Sequence, residues 1–468
     1  MYEQQINAYF DDPARRRQLV EAVSRLVRVR SVREDPRPGM PFGPGPAAAL
    51  DEALRLAGEW GLTAQNLEGY VGCVDLNDCP DALHLLCHLD VVAPGEGWSV
   101  TQPFTPKVAD GMIFGRGTDD DKGPAAACLL AMKAVRDLGV PLKANCRLIL
   151  GTNEESGSAD IAWYFARHPF APATFSPDSG FPVINTEKGG FQPTFSMSWP
   201  VQEQLPRLRW LHGGLRINIL PGEASAAVEG LSMHDVQPCA RDITARTGVM
   251  FTFAHEGDLT VIRAKGEASH AAWPEGGNNA LTGLMALLCA LPLAPGPCRD
   301  ALEALNTLLP HGDHLGRALG IAQSEPVAGP LTVAFTLLEV TDTGLEGRFD
   351  SRVPLCATQD NCLKVAQAAF ARHGFTFSGQ QGSPHHTPAD TPFVQTLLRR
   401  YEQYTGLKGE CLSTGGGTYV HGIPGGVAFG CTLPGFDTHL HGPDERVRIQ
   451  DLMLSAKLFA HIILDLCA

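Results

Sequence analysis

Long apolar runs are missing from this sequence: nowhere do about 18 uninterrupted apolar residues occur, so there is no candidate for a membrane-crossing helix. The opening segment, MYEQQINAYFDDPARRR, has no apolar core of signal-peptide length. Paired-cysteine motifs are missing too. Thirteen cysteines, an odd number, are scattered without one Cys-x-x-Cys, and positions such as Cys128 and Cys146 look like small apolar core residues. That excludes a disulfide framework as the organising principle and leads us to expect a reducing, cytoplasmic compartment. Positive charge is scarce as well. Lysine and arginine number 37 against 51 aspartates and glutamates, a net charge of −14. Such a surface repels phosphate backbones and acidic lipid, so neither nucleic acid nor membrane is expected as a partner.

What is present is ordinary globular composition, 44% hydrophobic and 19% charged over 468 residues, enough for two or three domains. Residues 13–29 and 46–60 carry helical spacing of Leu, Val and Ala around a Pro/Gly-rich loop, PRPGMPFGPGP. ALHLLCHLDVV (82–92), an apolar helix that begins near Pro124, and CRLILGTNEE (146–155) then alternate as strand, helix, strand. Pro124 suits the first turn of that helix. The alternation predicts an α/β fold, a sheet covered by helices with its chemistry at the carboxyl ends of the strands.

From residue 188 to 383 the texture changes. RLRWLHGGLRINIL, VMFTFAHEGDLTVIRAKGEA and GPLTVAFTLLEVTDTGLEGRFDSRV alternate as strands do, with ALTGLMALLCAL helical between them. A second, α+β domain is therefore expected as an insertion into a first domain formed by 1–187 and 384–468. The helix DTPFVQTLLRRYEQYTG and the terminal helix QDLMLSAKLFAHIILDL return to the first texture.

The chemistry-bearing residues are acids and histidines. His88 and Asp90 are two apart, so on a strand they share a face. A carboxylate beside a metal-bound imidazole fixes its tautomer, though the pair equally describes a buried histidine satisfied by its neighbour. In GTDDDKGP three aspartates crowd one loop ahead of a helix. They repel one another unless a cation sits among them or the loop is exposed, with Arg116 and Lys122 as solvated neighbours. A metal ion is the economical solution, and an aspartate there can bridge two cations. Glu154 and Glu155 follow the apolar run RLIL. On extended backbone adjacent side chains diverge, so one can ligate while the other acts as general base; a solvated acidic strand end has the same pattern. Asp178 in SPDSG, with a plain turn as the alternative, and His439 and His441 in FDTHLHGPDE, a pair on one face or merely a polar loop, complete the set. A mixed His/carboxylate group without thiolate spacing suits zinc, with manganese or cobalt as substitutes, in two sites sharing an aspartate and a water.

HLDVVAPGEGW, GRGTDDDKGP, GTNEESG, FSPDSGFP and the terminal HGPDE resemble, in order and spacing, the dinuclear zinc metallopeptidases related to aminoacylase, carboxypeptidase G and succinyl-diaminopimelate desuccinylase. The resemblance spans the whole catalytic portion. Within that family, GTNEESG, the EKGG after Asp178, LRINILPGEA, the large insertion and GGGTY resemble the PepV-type, carnosinase-like bacterial dipeptidases. The resemblance implies a zinc-exopeptidase-type catalytic domain with an inserted α+β lid of two ferredoxin-like halves. It implies two Zn2+ per chain: His88 and Asp178 on one, Glu155 and His441 on the other, and Asp120 bridging. Asp119 is then the extra acid, and Asp121 follows through a cis peptide. Asp90 orients His88, and Glu154 is the general base that deprotonates a metal-bridging water and returns the proton to the leaving amine. In GEASHAAWPEGGNNA, His270 steadies the oxyanion or is an ordinary loop histidine. Asn218, Arg352 and the run Gly415, Gly416, Gly417 and Thr418 contact substrate. Arg352 either grips a free C-terminal carboxylate or forms an ordinary ion pair, and the glycine run either offers N–H groups or makes a tight turn.

The implied activity is hydrolysis of unblocked dipeptides, Xaa-His or broadly specific, by a chain that works as a monomer because its own insertion supplies what a dimer partner supplies elsewhere. The alternative within the family is an N-acyl amino acid deacylase or desuccinylase; outside enzymology it is a silent metal- or peptide-binding protein. The sequence departs from the family in three places. VVAPGEG displaces the usual proline to Pro94, His421 stands where an arginine commonly follows GGGTY, and His439 rivals His441, which is preferred because it directly precedes GPDE.

Overall fold

The computed structural model describes all 468 residues. The chain divides into two compact units. The first comprises Met1–Thr186, His386–Leu412 and Gly417–Ala468, and the second Glu187–His385 with Ser413–Gly416.

The first unit is built on a sheet in which Thr63–Leu67, Val71–Asp75, Asn145–Gly151, Asp81–His88, Ala173–Ser176, Val427–Phe429 and Val183–Glu187 lie side by side in that order. Asp81–His88 runs parallel to both Asn145–Gly151 and Ala173–Ser176, and Val427–Phe429 runs parallel to Ala173–Ser176. Leu83 to His88 are all buried, as expected of a central parallel strand covered on both faces. Helices Pro13–Val27, Pro44–Glu59, Lys122–Asp137 and Ile449–Cys467 bury their apolar faces in one core with this sheet. The first two begin on a proline, where a missing N–H costs nothing. The helix expected near Pro124 begins two residues earlier, at Lys122, with Asp121 as its cap. Gly123 makes this entry possible, because a Cβ there would lie 2.0 Å from the Thr118 carbonyl oxygen.

The parallel pairing sets His88 opposite Gly151. The segments leaving Asp81–His88, Asn145–Gly151 and Ala173–Ser176 therefore emerge on the same side of the sheet, and these segments carry Asp90, Glu154, Glu155 and Asp178. Gly151 is also required by packing: a Cβ at this position would meet the Tyr419 hydroxyl at 1.9 Å.

The second unit is an antiparallel sheet that is continuous across the whole insertion, in the order Met250–Glu256, Leu259–Lys265, Glu223–Glu229, Arg207–Gly213, Thr332–Thr341, Gly344–Val353, Thr194–Ser198 and Thr376–Ser378. Helices Met233–Thr247, Ala280–Ala290, Pro297–Leu308 and Lys364–Ala371 share a separate core with it. No helix in the chain is long and apolar enough to cross a membrane, and all thirteen cysteines are free.

Candidate metal centre

At the carboxyl ends of the parallel strands, Asp120 stands between two imidazoles. Its Oδ1 lies 2.7 Å from His88 Nε2 and its Oδ2 lies 2.8 Å from His441 Nε2. Asp178 Oδ2 is 3.6 Å from His88 Nε2, and Glu155 Oε2 is 3.5 Å from His441 Nε2. Two groups of three ligand atoms result, His88–Asp120–Asp178 and Asp120–Glu155–His441, each with its atoms within 4.8 Å of one another and with Asp120 common to both. His439 points elsewhere: its Nδ1 faces the Pro443 carbonyl at 3.1 Å and its Nε2 the Asp437 carboxylate at 3.3 Å.

The electrostatics of this cluster are those of a site that attracts cations. Burial pulls the His88 imidazole down, but Asp120 and Asp178 outweigh it and hold its pKa well above the ordinary histidine value. Burial likewise opposes, and Asp120 and Glu155 overcome, in His441, which is raised to about 11. Burial raises Asp120, yet His441 and His88 bring it far below the usual carboxylate range. Burial, followed by repulsion between neighbouring acids, raises Glu154, Glu155 and Asp178.

The three consecutive aspartates have three different tasks. Asp119 accepts a hydrogen bond from Thr432 Oγ1 at 2.8 Å, and burial lifts it to about 7. Asp120 faces the histidines. Asp121 Oδ2 accepts from the His88 backbone N–H at 2.9 Å, and the peptide between Asp120 and Asp121 is cis. An exposed loop with solvated cations is not what the chain forms: Arg116 and Lys122 are fully buried. Lys122 Nζ donates to the Val29 carbonyl at 2.7 Å, and burial lowers it to about 7.

Asp90 acts differently from a carboxylate set directly on the imidazole. His88 Nδ1 bonds the Asp90 carbonyl oxygen at 2.9 Å, while the carboxylate is 3.5 Å away. That carboxylate instead accepts from the backbone N–H groups of Glu154 at 3.0 Å and Glu155 at 3.1 Å. These bonds close Glu154–Ser156 into a 3-10 turn, in place of the extended backbone the sequence suggested. Glu155 Oε1 is further fixed by the Val92 N–H at 3.1 Å. The His88 and Tyr419 rings stand nearly perpendicular with centroids 6.1 Å apart, and the Tyr419 hydroxyl donates to Asp160 at 2.5 Å.

The remaining candidates belong to the second unit or to the run that leaves it. His270 pairs with Ile219, and the Asn218 carbonyl accepts from Ala271 N–H at 2.9 Å, so Asn218 and His270 are neighbours. Ala272 N–H donates to His270 Nδ1 at 3.1 Å, which places the neutral ring's proton on Nε2. Arg352 is engaged by its own strand. Its Nε and Nη2 form a two-point ion pair with the buried Asp350 at 2.7 and 3.0 Å, and Nη1 donates to the Gly415 carbonyl at 2.8 Å. Gly415 sits tight against Ala272, where a Cβ would come within 2.9 Å of the alanine methyl. Gly416 N–H is held by Thr414 Oγ1, Gly417 opens the final segment of the first unit, and Thr418 caps a short turn through Val420 N–H.

Two residues with a part in this centre stand inside the quoted motifs without having been singled out as site residues: Arg116 in GRGT and Glu445 in GPDE. Glu445 Oε1 accepts from the backbone N–H groups of Gly117, Asp119 and Asp120. The signal available in the sequence is the HGPDE motif itself, which ends on Glu445.

The donor set fits a pair of divalent cations. His88 Nε2 is buried and makes no aligned hydrogen bond, although Asp120 Oδ1 is 2.7 Å away. A buried imidazole nitrogen without a hydrogen bond, beside the Asp120 and Asp178 carboxylates, is the kind of polar atom that a shared cation satisfies. Two nitrogen and three carboxylate donors match the preference of zinc, and of manganese or cobalt, over that of softer metals.

The sequence profile of Peptidase family M20/M25/M40 matches residues 84–465. The chain is 33% identical over 458 residues to "Putative dipeptidase YtjP" of Bacillus subtilis strain 168, covering 96% of this chain and 97% of that one. It is 30% identical over 429 residues to the Beta-Ala-Xaa dipeptidase of Lactobacillus delbrueckii subsp. lactis, covering 91% and 90%. Among solved structures it is similar to human carnosine dipeptidase 1, with a TM-score of 0.58 at 14% identity over 100% of this chain and 99% of that one. This last likeness shows a common fold.

Proposed function

The chain belongs to Peptidase family M20/M25/M40 and is a hydrolase of the peptidase class, and from that premise we propose that it is a metal-dependent dipeptidase acting on unblocked dipeptides. The observation that carries the reading is Asp120, one carboxylate shared between two ligand groups, with Glu154 held beside them by Asp90. His88, Asp120 and Asp178 would hold one cation and Asp120, Glu155 and His441 the other, with Zn2+ the best match to the donors and Mn2+ or Co2+ able to substitute. When bound, such a pair polarises a carbonyl and lowers the pKa of water.

The chain's own residues do the rest. Glu154 takes the proton from the attacking water and delivers it to the leaving amine. Asp90 fixes where Glu154 stands, because it bonds the backbone from which that side chain projects. His270, protonated on Nε2, offers a donor to the developing oxyanion, and Arg352, Asn218 and the Gly415–Thr418 run bind the substrate's end. The insertion serves as a lid, the working species is a monomer, and the compartment is the cytoplasm. The Beta-Ala-Xaa dipeptidase relative supports a small dipeptide substrate.

The test is a hydrolysis panel on zinc- and manganese-loaded protein with a chelated control: unblocked dipeptides including β-Ala-His, against N-acetyl and N-succinyl amino acids. Metal-dependent cleavage of the unblocked dipeptides is expected. Cleavage of the N-acyl compounds alone would make the enzyme a deacylase or desuccinylase, and metal uptake without any hydrolysis would make the protein a binder.

A further inference from the structure

Behind the ligand cluster lies a buried ion pair that touches both halves of it. Arg116 and Glu445 are fully buried, and Arg116 Nη1 meets Glu445 Oε2 at 2.5 Å. Glu445 Oε1 gathers three backbone N–H groups of the aspartate loop, those of Gly117 at 3.0 Å, Asp119 at 3.0 Å and Asp120 at 3.3 Å. On the other side Arg116 Nη2 donates to the carbonyls of His441 at 3.0 Å and Gly442 at 3.1 Å. The bridging aspartate and the last histidine, although 321 residues apart, thus hang from one salt bridge.

A second observation shows why the histidine loop needs holding. His439, His441 and Asp444 all have left-handed backbone, with φ of 56°, 59° and 56°. That conformation is costly for residues with a Cβ and persists only where surrounding contacts impose it. The Arg116 bond to the His441 carbonyl is such a contact. Asp444 is fixed independently, by Ser99 and Val100 N–H at 2.9 Å each. A buried ion pair is a poor source of stability, since desolvation consumes most of its Coulombic gain. Its value here lies in geometry.

We propose that Arg116 and Glu445 are positioning residues that set the Asp120–Glu155–His441 ligand group by clamping the Asp120 backbone and the His441 backbone to one another. The inference rests on the reading of that group as a metal site, and on nothing about substrate. The pair carries no net charge, and Arg116→Lys keeps that balance, so this variant changes ligand geometry without changing the charge that attracts an ion. Supporting contacts one layer out from ligands typically control affinity by about 10- to 100-fold.

The test is zinc titration of the metal-free protein against a chromophoric chelator, in the parent, Arg116→Lys and Glu445→Gln, with the melting temperature of each metal-free protein and the Co2+ absorption spectrum recorded alongside. Lysine keeps the charge opposite Glu445 but lacks the fork that reaches the His441 and Gly442 carbonyls. One of two zinc affinities is expected to fall about 10- to 100-fold in Arg116→Lys, with an altered Co2+ spectrum for that site and a metal-free melting temperature close to the parent's. Both affinities within threefold of the parent's in either variant would overturn the proposal. So would unfolding of both metal-free variants, which would make the pair a plain stability element. Failure of the dipeptidase reading would appear elsewhere, as absence of peptide hydrolysis by a parent protein that binds two zinc ions normally.

Discussion

The backbone N–H of Glu154 donates to Asp90 Oδ1 at 3.0 Å, so the general-base candidate is positioned by the carboxylate that follows His88 by two residues. Asp90 also presents its carbonyl to His88 Nδ1, which sets that ring's orientation. Replacing Asp90 with alanine therefore removes the cap of the Glu154 turn while leaving the bond to His88, made by backbone, in place. We expect activity to fall about 10- to 100-fold with two metal ions still bound. Turnover measured together with metal content checks this; loss of an ion with the mutation would show that the carboxylate serves the ligand rather than the base.

Glu154→Gln keeps the shape of the side chain and removes its basicity. Because Glu154 belongs to neither ligand group, the variant should bind both ions as the parent does and lose about 10²- to 10⁴-fold in kcat. Retained turnover would remove Glu154 from the base role.

Arg352 is tied to Asp350, a carboxylate with no solvent exposure. Arg352→Met leaves that charge without its cation and with only the Gln192 amide as a side-chain donor, which should cost about 3–5 kcal/mol in urea denaturation. Adding Asp350→Leu should recover most of the loss. A separate kinetic comparison tests the substrate grip: Arg352→Lys should raise KM for a free dipeptide more than for its C-terminal amide, and equal effects on both would leave Arg352 a structural residue.

Acid stability should depend on His461. The ring is buried in the terminal helix, with Nε2 facing the Tyr404 hydroxyl at 2.7 Å and Asn7 Oδ1 at 3.1 Å. Burial, helped by Arg400 and Lys457 against Glu3 and Asp465, brings it down to about 4. Above the ordinary histidine pKa both folded and unfolded states are neutral there and the full stability is present. Between about 6.5 and 4 the unfolded chain takes up the proton first, so stability falls by about 1.4 kcal/mol per pH unit, or about 3 kcal/mol across the window. Urea midpoints of the metal-free protein should show this slope, and His461→Gln should flatten it. An unchanged slope would assign the acid sensitivity to other groups.

The sequence by itself determined the α/β character, the texture change near residue 188 and which acids and histidines could do chemistry. Those features are local: a continuous apolar strand, a helix entry and the residue types at a strand's end are encoded within a dozen neighbouring positions, and parallel strands carry whatever follows them to one side of the sheet. Tertiary structure alone decided the assignments that depend on where distant segments meet. It turned His441 toward Asp120 and His439 toward the Pro443 carbonyl, gave the Asp90 carboxylate to the Glu154 turn, engaged Arg352 with Asp350, and buried Arg116 and Lys122, which could equally have been solvated cations. Spacing along the chain cannot specify such contacts, because each depends on the approach of segments tens to hundreds of residues away and on whether water is excluded where they meet.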